Sequence, residues 1–267
     1  MTDSFDARPD VIGTLRAAGC VFAEAEADLL TEAASTPLQL AALVRRRTAG
    51  EPLEHILGWA EFAALRISVA PGVFVPRRRT EFLVRTAARL APPQPVALDL
   101  CCGAGALAAA FAAAAPIAEL HAADIDPVAA ECARRNLASV GGRVYLGDLF
   151  APLPSALRGR VDVLLANVPY VPTSAIALLP PEAREHERRA ALDGGADGLD
   201  MVRRVAAETA AWLAPGGALF VEVSDAQADA AIAIAQHAGL AARVVTAEDA
   251  DDCTGVLVAQ TRPSTAR

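Results

Sequence analysis

Apolar residues recur every three or four positions across residues 8–48. The spacing predicts three helices, in RPDVIGTLRAAGC, FAEAEADLLTEAA and TPLQLAALVRRR. Thr36-Pro37 reads as the N-cap and first residue of the third helix. Arg45, Arg46 and Arg47 near its end complement the helix dipole; they read as a solvated helix end, with a partner-binding patch as the other reading. The pattern changes over GWAEFAALRISVAPGVFV (58–75), where aromatic and β-branched residues broken by Pro71-Gly72 predict a β-hairpin. A helix follows over 80–90, then the breaker APPQP at 91–95.

From Val96 onward strands and helices alternate. Seven strands are expected at 96–100, 118–124, 143–148, 161–167, 217–223, 242–247 and 255–260, with helices at 105–115, 127–138, 197–213 and 225–238. This alternation predicts an α/β domain with a parallel sheet covered on both faces. The organisation expected is a helical unit over 1–57, a hairpin linker over 58–79 and the α/β domain over 80–267. Such sheets bind ligands outside the carboxyl ends of their strands. The residues just after 100, 124, 148 and 167 should therefore meet at one site.

Composition narrows the function classes. The hydrophobic fraction is 54%, inflated by Ala, which suits a large core and argues against disorder. The net charge is −8 and every basic residue is Arg. Residues 1–90 are neutral, with 11 Arg and 11 acids, so the acidity lies in the remainder. That balance speaks against a nucleic-acid binder and suits a cationic ligand. Cys20, Cys101, Cys102, Cys132 and Cys253 fit neither a disulfide framework nor a zinc site. His55, His121, His186 and His237 lack metal-ligand spacing, so no metal is expected. The start, MTDSFDARPD, has no apolar stretch of a secretory signal, and the uncharged, Ala-rich run 103–118, interrupted by Pro116, is too short to span a bilayer. A cytoplasmic protein without membrane contact is expected.

LDLCCGAGALAAAF (98–111) follows the first strand and opens a helix. Gly103 and Gly105 let the backbone turn tightly and approach a ligand. GAGALA also fits the dinucleotide fingerprint, with Asp124 placed 21 residues after Gly103. On that motif alone a nicotinamide dehydrogenase stays open. Asp99 weighs against it, because a carboxylate beside a pyrophosphate is repelled. Beside the ammonium of S-adenosylmethionine it is welcome. Asp124 could then bind both ribose hydroxyls, and Asp148 in GDLF the adenine amino group, with Leu149 an apolar neighbour. Helix capping for Asp124 and a turn role for Asp148 are the structural alternatives; Asp126-Pro127 is the better cap.

DVLLANVPYVPT (162–173) carries the acceptor chemistry. An amide nitrogen is a poor methyl acceptor, so its orientation governs an in-line transfer. The side-chain oxygen of Asn167 and the backbone carbonyl of Val168 can accept its two protons. Pro169 fixes the turn and biases Val168 away from helical geometry. Tyr170 offers a flat face to a planar amide or base. A plain strand-end turn is the structural alternative.

The stretch resembles the Asn-Pro-Pro-Tyr motif of S-adenosylmethionine-dependent amino-group methyltransferases. PLEHILGWAEFAALRISVAPGVFVPRRRTEFLV (52–84), LDLCCGAGALAAAFA (98–112), AADIDPVAAECARRN (122–136), GDLFAPLP (147–154), LLANVPYVPT (164–173), EHERRAALDGGADGLDMVRRV (185–205) and LAPGGALFVEV (213–223) follow the order of one family. They resemble the release-factor glutamine-N5 methyltransferases of the HemK/PrmC type, from about residue 8 to the C-terminus. The resemblance implies a Rossmann-like seven-strand fold behind a helical substrate-recognition domain. It implies methylation of the Gly-Gly-Gln glutamine of peptide chain release factors, by a monomer with no stable nucleic-acid partner. It assigns Asn167, Val168, Pro169 and Tyr170 to the acceptor. Asp99, Cys101, Gly103, Gly105, Asp124, Ile125, Asp148, Leu149 and Asn167 fall to the cofactor.

Five positions depart from the family pattern. Val168 replaces the first Pro, Cys101 and Ser224 replace Gly, and Arg78-Arg79 replace an acidic-leaning pair. They bear on the substrate more than on the chemistry, and another glutamine or amide stays open as acceptor. So do an adenine-N6 methyltransferase and a non-catalytic cofactor-fold module. Arg77 and Glu81, four apart, are expected to pair at the linker. ALDGGADGLDMVRR (191–204) reads as a helix start capped by Asp197, or as the base of a lid at Asp193, Gly194 and Gly195.

Overall fold

The computed structural model describes residues 8–246 and 254–262; Ala247, the last residue of one predicted strand, and Cys253 lie outside the described residues. Four helices open the chain: α1 (Arg8–Ala17), α2 (Ala23–Ala33), α3 (Pro37–Thr48) and the short α4 (Leu53–Leu57). They close on an apolar cluster of their own, with Leu15, Ala27, Leu30 and Leu40 inside it. Thr36 caps α3 by accepting the Gln39 amide at 3.2 Å, with Pro37 in the first turn. The Arg run divides. Arg46 pairs with Glu51, but Arg47 is buried and pairs with Glu26 and Glu182, each at 2.6 Å. At Arg47 the expected solvated helix end gives way to a buried ion pair.

β1 (Trp59–Phe62) and β2 (Leu65–Ser68) form the predicted hairpin, but not with the predicted break. The turn is Ala63-Ala64, with φ of 49° and 60°, and Pro71-Gly72 lies beyond β2. Two successive left-handed residues match the twist of an antiparallel pair. Ala60, Phe62 and Ile67 of the hairpin pack into the same core as the main sheet.

After α5 (Glu81–Leu90) the chain alternates through β3 (Val96–Leu100), α6 (Ala106–Ala114), β4 (Glu119–Asp124), α7 (Pro127–Leu137), β5 (Arg143–Leu146) and β6 (Val161–Ala166). The short α8 (Pro181–His186), α9 (Asp200–Trp212), β7 (Leu213–Ser224), α10 (Ala228–His237), β8 (Ala241–Thr246) and β9 (Thr254–Gln260) complete it. The seven strands of the main sheet lie in the order β5-β4-β3-β6-β7-β9-β8. β3 to β7 are parallel, whereas β9 runs antiparallel between β7 and β8. The sheet is therefore mixed and not all parallel: β8 and β9 pair as antiparallel neighbours. Alternate strand residues serve opposite cores. Ala97, Val163, Leu165 and Phe220 face one layer; Leu98, Leu164, Leu219 and Val221 face the other. Each fully buried Leu or Val contributes about 1.5–3 kcal/mol.

The strand order reverses between β3 and β6, so their carboxyl ends flank the topological switch point. Leu100 pairs with Ala166 on one side and Ala123 on the other, and Asp124 pairs with Leu146. This register sets the loop after β3 beside Asn167 and Asp124. No described helix is long and apolar enough to cross a membrane.

Candidate active site

A cavity of about 590 Å³ opens at that switch point. Its back wall is the loop after β3 and the ends of β4, β5 and β6; its front wall is the segment 72–80 with residues 179–192. The volume suits a small-molecule site. The residues just after positions 100, 124 and 167, with Asp148, meet here as the alternation predicts.

Asp124 organises the glycine loop. Its two carboxylate oxygens accept the Gly103 amide and the Asp126 amide, both at 2.8 Å. Burial pushes its pKa above the ordinary carboxylate value. The helix cap is Asp126, which accepts the Val128 amide at 2.8 Å, so Asp124 is free of that role. Cys101 holds φ of 53°, a left-handed conformation that favours the Gly it replaces.

Two residues predicted for the cofactor are not on the cavity wall. Asp99 is 1% exposed, and its Oδ2 accepts the Ala108 amide at 3.2 Å inside α6. Burial pushes its pKa up to about 8, which favours the neutral acid over the carboxylate expected to meet an ammonium. Gly105 faces α7: a Cβ there would come within 3.2 Å of the Ala133 backbone. It lets two helices approach closely and is not among the residues that line the cavity.

The other predicted cofactor residues are on the wall: Cys101, Gly103, Asp124, Ile125, Asp148, Leu149 and Asn167. Ile125 is 66% exposed, a large apolar side chain on the rim. Leu149 holds φ of 47° and is buried. Asp148 is joined at 2.6 Å to Arg204 of α9. Sequence reasoning missed Arg204, since a cation 56 residues away carries no local signal. On this half of the cavity the described wall carries Arg204, neutralised by Asp148, and Arg188, neutralised by Asp126 at 2.9 Å. The donor set of carboxylates and apolar surface fits an adenosyl cation and offers a pyrophosphate no countercharge.

Asn167, Val168, Pro169 and Tyr170 all line the cavity. The Oδ1 of Asn167 is buried and accepts no hydrogen bond among the described residues. Leaving such an acceptor unmet costs about 1–3 kcal/mol, which a ligand donor would recover. Val168 is 2% exposed and belongs to the same buried apolar cluster as Leu149 and Leu199, so its side chain serves the core.

The turn is braced from behind. Val171 donates to the Leu192 carbonyl at 3.0 Å, and the Gly194 amide donates to Val171 at 2.9 Å. A Cβ at Gly194 would lie 2.7 Å from the Pro169 carbonyl, and one at Gly198 2.2 Å from that of Tyr170. Gln227 donates to the same Tyr170 carbonyl at 2.9 Å. The glycine-rich stretch is thus a bracket for the turn. Asp197 accepts the Leu199 amide just ahead of α9, and Asp193 accepts from Thr173 at the bracket's edge.

In front, the expected Arg77–Glu81 pair does not form. Arg77 bonds to buried Glu187 at 2.6 Å, and Glu187 also accepts the Val75 amide. Glu81 instead accepts the Ala63 amide across the hairpin turn. Arg79 bonds to Tyr170 and Glu222. Glu222 was legible in principle, as a lone acid in the apolar strand GALFVEV.

Residues 64–178 match the methyltransferase small domain family. A relative from Geobacter sulfurreducens, named release factor glutamine methyltransferase, is 42% identical over 208 residues, covering 76% of this chain and 72% of that one. A 4-amino-L-phenylalanine/4-methylamino-L-phenylalanine methyltransferase from Streptomyces pristinaespiralis is 39% identical, covering 67% of this chain and 63% of that one. Among solved structures, a methyltransferase from Pyrococcus furiosus superposes with a TM-score of 0.57 at 17% identity, covering 74% and 89% of the two chains. The last likeness speaks for the fold.

Proposed function

The chain belongs to the release factor glutamine methyltransferase family, and on that premise we propose that it methylates the side-chain amide nitrogen N5 of a protein glutamine. We assign the acceptor as the Gly-Gly-Gln glutamine of a peptide chain release factor, met in the cytoplasm by a monomeric enzyme. The observation that carries the reading is Asn167, a wall residue of the cavity whose buried Oδ1 has no partner among the described residues. A primary amide has two N–H donors. Asn167 Oδ1 takes one and the Val168 carbonyl the other. This aims the nitrogen into the cavity and favours the positive charge that develops on it.

S-adenosylmethionine, when bound, supplies an electrophilic methyl on a sulfonium. Cys101, Gly103, Asp124, Ile125, Asp148 and Leu149 are the residues we assign to holding it. Asp124 faces the ribose and Asp148 the adenine edge, with its second carboxylate oxygen left free by the Arg204 pair. Tyr170 gives the planar amide a flat wall. The helical unit α1–α4 is assigned to holding the release factor.

The aminophenylalanine methyltransferase relative supports a second reading, a small-molecule amine acceptor. Labelled S-adenosylmethionine offered with a release factor, its Gln→Ala tripeptide variant, 4-aminophenylalanine and tRNA separates the readings. Label on the first alone is expected. Label on the amine or the RNA instead removes the release factor as substrate. Asn167→Ala should lower turnover by at least about 100-fold, the scale of one lost charge-stabilising contact. Calorimetry should find its S-adenosylmethionine affinity nearly unchanged. Near-normal turnover would sink the role given to Asn167.

A further inference from the structure

Arg79 is one of the two arginines that depart from the family pattern, and the catalytic reading leaves it without a task. It stands on the cavity wall in the single 3-10 turn ahead of α5. Its Nη2 donates to the Tyr170 hydroxyl at 2.5 Å. Its Nε donates to Glu222 Oε1 at 3.2 Å, and the Tyr170 hydroxyl donates to that same oxygen at 3.2 Å. Three residues from distant parts of the chain thus close a hydrogen-bonded triangle. Glu222 is 3% exposed, so its charge is held inside the protein by this one guanidinium. The neighbouring Arg78 differs: its side chain is 83% exposed and, among the described residues, pairs with Glu61 at 3.9 Å.

The main chain of Tyr170 is already fixed by Gln227 and by the glycine bracket. What remains free is the ring, which turns about its own side-chain torsions. The hydroxyl sits at the tip of the ring, on the axis of its last torsion, so Arg79 and Glu222, which grip it from two directions, fix where the ring axis points. We propose that Arg79 is a positioning residue of the acceptor half of the site: it fixes the direction in which the Tyr170 ring projects along the wall and so the pose of the acceptor. It contacts no reacting atom. The word acceptor rests on the methyltransferase reading above; the tether does not.

Displacing a reacting group by about 1 Å can cost about 100-fold in rate. Arg79→Met and Tyr170→Phe should each lower kcat/KM for the acceptor about 10- to 100-fold, with S-adenosylmethionine affinity changed less than about twofold. Because both act through one hydroxyl, the double variant should be no worse than the poorer single one. Arg79→Lys, which has one donor group for two partners, should recover part of the loss. Arg79→Met leaves Glu222 buried and unpaired, which can unfold the chain. Tyr170→Phe keeps the Arg79–Glu222 pair and is the safer arm.

A second readout needs no acceptor. The chain has two tyrosines, so 13C-labelled tyrosine gives two sets of ring signals, and Tyr145→Phe assigns them. The Tyr170 ring signals should sit at distinct shifts in the native chain, move toward those of an untethered tyrosine in Arg79→Met, and move part of the way in Arg79→Lys. Unchanged Tyr170 signals in both overturn the proposal, as do additive losses in the double variant. If the native chain labels no acceptor while the ring signals respond, the glutamine reading fails and the tether stands.

Discussion

Asp99 and Asp124 end neighbouring strands, yet they differ in what surrounds them. Asp124 meets two amides and the cavity. Asp99 meets one amide, and its Oδ1 has no partner among the described residues. The consequence is a pH effect of definite sign. The carboxyl titrates near 3.8 ordinarily and near 8 when folded. Between those values the unfolded chain is ionised and the folded one is not, so folding must take up a proton. This contribution costs stability progressively as pH rises from about 4 to about 8 and is absent below. Asp99→Asn removes it. The Tm of the variant relative to the native chain should therefore rise steadily from pH 4 to pH 8, above any constant cost of the buried amide. A flat difference would mean Asp99 is ionised in the fold. The same pair marks the limit of sequence reading at this scale. Strand ends and acids were legible, and Asn167, Asp124 and Asp148 fell where expected. Whether a strand-end carboxyl faces the cleft or the underside of α6 depends on packing that spacing does not encode.

The elements were mostly readable because period-two and period-3.6 patterns are local properties of the chain. The departures come where a local signal was missing. Ala63-Ala64 makes a left-handed turn without turn residues, so Pro71-Gly72 drew the break instead. The antiparallel course of β9 depends on which edge it joins, a long-range matter. The Ala turn also predicts a gain. A non-glycine residue in the left-handed region costs roughly 1–2 kcal/mol, and Asn-Gly is the favoured pair for such a turn. Ala64 is exposed and Ala63 partly so, and the Ala63 amide that Glu81 accepts survives substitution. Ala63→Asn with Ala64→Gly should raise Tm by a few degrees, read by calorimetry. Methyl transfer should not change, because neither residue lines the cavity. A lower Tm would show that the methyl groups of Ala63 and Ala64 matter more than the backbone strain.

At the scale of the molecule, the question is how a helical unit with its own core is tied to the cavity. The tie runs through Arg47. Its Nε bonds to Glu26 inside the helical unit, and its Nη1 bonds to Glu182 on α8. Glu182 and the next residue, Ala183, line the cavity. The two arms differ in surroundings. Glu26 is buried, and the attraction of Glu26 and Glu182 outweighs the desolvation that by itself would lower the Arg47 pKa. The Glu182 side chain is 46% exposed. Arg47→Met leaves Glu26 buried without its cation and should cost about 3–5 kcal/mol. Glu182→Gln breaks only the half-exposed arm and should cost less than about 1 kcal/mol, a Tm change of a few degrees at most. Function should separate them differently from stability. If the helical unit holds the acceptor protein and Arg47 fixes its angle to the cleft, Glu182→Gln should raise the KM for the release factor while S-adenosylmethionine affinity stays level. An isolated Gly-Gly-Gln peptide, too short to reach α1–α4, should show no such change. Equal effects on protein and peptide would place the loss in the cavity wall at α8. No effect on either would leave the helical unit held by its apolar contacts alone.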